Sequence, residues 1–156
     1  MKKRSLFLPI FRDLFSQKIP ISLVLSGILF LICMSLDFYA TNVGSQGNFT
    51  EEANAIGRFW WQIAGTFRFI EIPVWAGVVL GMAYILNFKS KYFALVWLNF
   101  LAFNHFLGFL TWLPYGTVNF LYTVTTQDWQ LGYAMSLISI PFALLLALVQ
   151  TRIKSK

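Results

Sequence analysis

The chain has 156 residues, of which 58% are apolar and 12% charged, and its mean hydropathy is +0.66. A soluble domain carries roughly 25% charged residues, so composition alone argues against an ordinary water-soluble fold and for one compact membrane domain. A single cysteine, Cys33, and a single histidine, His105, exclude an intrachain disulfide, a thiolate metal site and bis-histidine haem ligation.

The chain opens on a basic, amphipathic arm over residues 1–18, with five Lys or Arg against one acid, Asp13. Phe7, Phe11, Leu14 and Phe15 share a face after Pro9, which suits a short helix lying among lipid headgroups or a solvated arm that sets topology. Residues 19–36 then run without a formal charge and are long enough to span most of a hydrocarbon core. This apolar run is longer than a secretory signal core of about 7 to 15 residues, so a retained helix over about 19–38 is expected, closed by Asp37. Residues 41–48 read as a loop rich in turn residues.

Thr50, Glu51 and Glu52 offer a capping hydroxyl and two acids where a second helix, about 51–87, begins. Unbroken, it would measure on the order of 55 Å, so it should project from the bilayer or bend near Gly65 or Pro73. Glu51, Asn54, Arg58, Gln62, Gly65 and Arg68 fall within an arc of ~120° on its wheel, with Glu71 just outside. Because residues 59–88 are apolar yet carry Arg68 and Glu71, they are expected to form the buried hub of the bundle; an unpaired charge among lipid tails costs at least a few kcal/mol. Gly77 and Gly81 form a G-x-x-x-G, the pattern that lets a neighbouring helix approach closely.

A short turn with Lys89 and Lys91 leads to a third helix, about 92–113, whose polar members are Asn99, Asn104 and His105. An aromatic, apolar connection follows, and a fourth helix is expected over about 129–150, interrupted only by Pro141. The reading is therefore an all-α bundle of four transmembrane helices in one domain over residues 1–156. Ten of the twelve basic residues lie in the N-terminal arm, the Lys89/Lys91 turn and the C-terminal tail. Both termini are thus expected in the cytoplasm of a multi-pass protein of a prokaryotic cytoplasmic membrane. The charge follows from topology, so no nucleic-acid partner is implied.

Counted from the helix midpoints, Arg68, Glu71, Asn104 and His105 fall within about 8 Å of the bilayer centre and form one candidate polar cluster. Asp37, Thr41, Glu52, Asn54, Arg58 and Gln62 form a second, nearer the outer surface. The residues around this second cluster, Leu36-Asp37-Phe38-Tyr39-Ala40-Thr41 and then Glu52-Ala53-Asn54, resemble a family of small uncharacterised prokaryotic membrane proteins. That family pairs Asp-x-x-x-Thr at one helix end with Glu-Ala-Asn-Pro at the start of the next; here Ala55 stands where the proline is usual. The resemblance implies a helical membrane domain of unknown function and a shared site at Asp37, Thr41, Glu52 and Asn54.

No nucleophile elbow, zinc-protease motif or phosphate loop is present, and no cofactor or enzymatic chemistry is indicated. Two functions fit. One is an interaction or structural subunit that docks onto itself or a larger membrane complex. The other is a proton, ion or small-solute transport component using the Arg68, Glu71 and His105 cluster.

Overall fold

A computed structural model of the chain describes residues 18–44, 59, 62–63, 69–112 and 128–152. Among them are four helices: α1, Ile21–Gly44; α2, Glu71–Lys89; α3, Lys91–Thr111; and α4, Asp128–Arg152. Each is long and apolar enough to cross a membrane. At ~1.5 Å per residue the shortest, α2, measures about 28 Å, close to a hydrocarbon core of ~30 Å.

The helix directions follow from their contacts. Trp97 Nε1 donates to the Val79 carbonyl, while Trp75 lies beside His105, so α2 and α3 run antiparallel. Gln150, near the end of α4, reaches Asn99 on α3 and Ser26 on α1. Asp37, late in α1, meets His105, late in α3. The chain therefore runs up, down, up, down, with α1 parallel to α3. Among the described residues, every Lys and Arg (Lys18, Lys89, Lys91 and Arg152) lies at one end of the bundle, called here the basic end.

The hub is α3, which packs on α1, α4 and α2, rather than the expected residues 59–88. Only Val79 and Ala83 are buried on α2. The reason lies in where its charges fall. Glu71 opens α2 and Lys89 closes it, each at the terminus whose dipole it complements, so the span between them is uncharged and can face outward without penalty. Pro73 sits in the first turn, where its missing N–H would be unpaired in any case. At the other terminus Ser90 alone, in an extended conformation, joins α2 to α3.

Helix α1 buries one stripe: Ser22, Leu23, Ser26, Gly27, Phe30, Cys33, Met34 and Thr41. It does not end at Asp37, as the sequence suggests, but continues to Gly44, so residues 41–44 are helical rather than loop. The stripe explains the extension: Asp37 and Thr41 lie on its line at i, i+4 spacing and face α3. Gly44 packs on the Trp112 ring, whose Cζ3 lies 3.0 Å from where a Cβ would stand. Between α1 and α3 the core is Phe30, Met34, Leu95, Leu98 and Ala102, all under 3% exposed.

The small-residue seam that brings helices close lies on α4 rather than α2. Ser139, Ala143 and Ala147, spaced by four, are buried at 0–1% exposure, and Ser139 Oγ donates back to the Met135 carbonyl at 2.8 Å. Gly77 and Gly81 instead face outward, and a Cβ at either would meet nothing within 4 Å.

Candidate functional site

Two polar clusters bind the bundle, one at each end of the α1/α3 seam. The first joins Asp37 to His105. Asp37 Oδ2 and His105 Nδ1 are 2.7 Å apart, with the side chains 20% and 18% exposed. Trp75 Nε1, from α2, lies 3.4 Å from His105 Nε2 and can only donate. With Nε2 turned to accept from Trp75, Nδ1 is the ring nitrogen placed to donate to Asp37. Three helices thus converge on one imidazole.

Aromatic rings hold that imidazole in place. Phe30 and Phe38 of α1 lie with centroids 5.8 and 6.3 Å from the His105 ring. A glycine makes room for the carboxylate: a Cβ at Gly108, on the next turn of α3, would stand 2.7–2.9 Å from the Asp37 carboxyl atoms. The carboxylate therefore lies flat against the α3 backbone, a position no other residue at 108 would leave open. Thr41, one turn beyond Asp37, is buried on the same face.

The second cluster sits toward the basic end. Asn99 Nδ2 donates to Gln150 Oε1 at 2.8 Å, and Gln150 Nε2 donates to Ser26 Oγ at 3.0 Å. One glutamine of α4 thereby ties α3 to α1. Lys91 Nζ lies 3.4 Å from the Gln150 backbone carbonyl. The Asn99 Oδ1 acceptor and the Ser22 hydroxyl are buried outside this chain of bonds.

The structure thus pairs residues that the sequence assigns to different clusters. His105 meets Asp37 rather than Glu71, because Glu71 begins α2 instead of lying midway along a longer helix. Asn104 precedes His105 and so points about 100° away around α3, outside the pair. Of the other expected residues, Gln62 is exposed, while Glu52, Asn54, Arg58 and Arg68 lie outside the described residues.

The Ser26, Asn99 and Gln150 cluster is the feature that sequence reasoning missed. Its signal was the stripe Ser22, Ser26, Cys33, Asp37, Thr41 along α1: small and polar residues at helical spacing mark a packing face in an apolar helix. Among the described residues, no three His, Cys, Asp or Glu side chains come together. No protein-family model matches the chain, and no curated protein or solved structure does.

Proposed function

We propose that this is a multi-pass protein of the cytoplasmic membrane, both termini cytoplasmic, acting as a non-catalytic subunit that docks through the outward face of α2. The observation that carries this reading is the position of α2 at the edge of the bundle. It leans on α3 through Val79 and Ala83 and presents Val74, Gly77, Val78, Gly81, Met82 and Ile85 away from the bundle. That face is apolar and open at both glycines, so a partner helix can approach to backbone contact. A second copy of the chain is the partner it suits, since a stripe of small residues is self-complementary under two-fold symmetry. The basic end faces the cytoplasm, following the bias of Lys and Arg in membrane proteins.

The second reading, proton or solute transport, rests on the titratable pair Asp37 and His105. Its weakness is the seam on the way to the next polar cluster. From Asp37 to Ser26 is eleven residues, about 16 Å, and Phe30, Met34, Leu98 and Ala102 fill that interval. A seam so packed favours a structural pin over a path.

Cysteine cross-linking in native membranes tests the docking reading. Val78→Cys, in a Cys33→Ser background, should give a disulfide-linked dimer on mild oxidation, and adding Gly77→Leu with Gly81→Leu should abolish it. Absence of the dimer, or its persistence with both leucines in place, would overturn docking through this face.

A further inference from the structure

We infer that the groove between α3 and α4 is a binding site for an anionic phospholipid, with an acyl chain along the groove and the phosphate at Lys91 and Arg152. The groove has a volume of about 240 Å³ and is lined by Phe103 of α3 and by Phe142, Leu145, Leu146 and Val149 of α4, with Asn99 at its side. Its lining is almost wholly apolar, and Phe142, Leu145 and Val149 are exposed along it, on the surface that meets lipid if the bundle is embedded in a membrane. Phe103 and Phe142 stack at 4.8 Å and 9° at the end away from the basic side. From Phe142 to Val149 it runs about 10 Å, a length that suits one segment of an acyl chain within one leaflet.

Charge complementarity at the other end identifies the class of lipid. Val149 adjoins Gln150, whose carbonyl oxygen lies 3.4 Å from Lys91 Nζ, so the ammonium stands one residue beyond the last lining residue of α4. That bond engages one of the three donors of the ammonium and leaves the others for a phosphate oxygen. Arg152, exposed in the last turn of α4, stands three residues beyond Val149 and so on nearly the same helix face. A carbonyl that holds a lysine beside an apolar channel sets cation and channel in the order in which a phospholipid carries phosphate and chain. Two cations favour an anionic headgroup over a zwitterionic one by about 30-fold.

The inference depends on membrane embedding but not on docking through α2, which uses other residues on another helix. The cross-link at position 78 and the lipid measurement can therefore fail independently. The test uses the full chain purified in a neutral maltoside detergent, melted with increasing mole fractions of phosphatidylglycerol or of phosphatidylcholine bearing the same chains. Binding to the native state raises Tm. Phosphatidylglycerol should reach its half-maximal effect at a mole fraction about 30-fold lower than phosphatidylcholine. Lys91→Gln with Arg152→Gln should equalise the two lipids, Lys89→Gln, on a helix that does not line the groove, should leave the preference intact, and Leu146→Trp should weaken both lipids. Equal responses to the two lipids in the parent chain would overturn the site, as would a preference that survives Lys91→Gln with Arg152→Gln. So would inorganic phosphate alone reproducing the shift.

Discussion

The Asp37–His105 pair makes a quantitative prediction, because removing one partner strands the other. Stranding a buried hydrogen-bonding group costs ~1–3 kcal/mol, and more when the group is charged. Here each side chain is about a fifth exposed, which keeps the charged partner near the top of that range rather than above it. His105→Leu leaves the carboxylate against the Gly108 backbone with its donor gone, at a cost of about 3 kcal/mol. Asp37→Leu leaves His105 Nδ1 without its partner while Nε2 keeps Trp75, and should cost about 2 kcal/mol. The double change removes both polar groups and should cost no more than about 2 kcal/mol, leaving a coupling of about 3 kcal/mol. Asp37→Asn, which retains an acceptor for Nδ1–H, should be the mildest. For a chain of this size each kcal/mol moves Tm by about 2–4 °C, so thermal melts in detergent should place His105→Leu about 6–12 °C below the parent. Single-mutant losses that simply add, to within ~0.5 kcal/mol, would show that the two residues do not interact and that the pin does not exist.

Three further outcomes follow from the same geometry. Gly108→Ala should lower Tm nearly as far as Asp37→Leu, since its methyl would occupy the carboxylate's place; the same substitution in an Asp37→Ala background should be almost neutral, and equal losses in both backgrounds would refute the fit. Gln150→Leu removes the bridge between α1, α3 and α4 and strands the Asn99 and Ser26 groups, so it should destabilise by about 2 kcal/mol in the same melts, whereas Thr151→Ala beside it should have little effect. Reporter fusions after Lys18, Ser90 and Lys156 should report cytoplasm, and fusions at Gly47 and Thr125 the opposite side; termini on different sides would refute the proposed topology.

Much of the fold was legible because the signals that carry it are long. Uninterrupted apolar runs give helix number and the approximate ends of α3 and α4, and a one-residue joint at Ser90 between Lys89 and Lys91 is the kind of break that a charged turn announces. The choice of hub was not legible in the same way. Charge in residues 59–88 pointed to burial, but the conclusion depends on whether Glu71 lies inside a helix or at its start, and a shift of helix start changes depth by ~1.5 Å per residue. Likewise G-x-x-x-G drew attention to α2, while the seam in use is Ser139, Ala143 and Ala147, a small-xxx-small pattern around Pro141.

The site was half legible for a related reason. Depth along each helix can be counted from sequence, and it placed Asp37 and His105 in different layers because α1 was ended at Asp37. Once α1 continues to Gly44, Asp37 lies seven residues from its end and His105 six from the end of α3; two parallel helices then bring them to the same level. Rotation decides the rest. Asp37 lies on the stripe of Phe30 and Cys33, His105 lies near the line of Leu98 and Ala102, and those two stripes form the α1/α3 interface. A glycine at 108 is what turns proximity into contact, and nothing in a hydropathy pattern distinguishes that glycine from those at 77 and 81. Their difference is in what faces them: a carboxylate at 2.7 Å in one case, open space in the other two. The same residue type therefore closes an internal bond on α3 and leaves an approachable surface on α2, and only the second of these is free to recruit another chain.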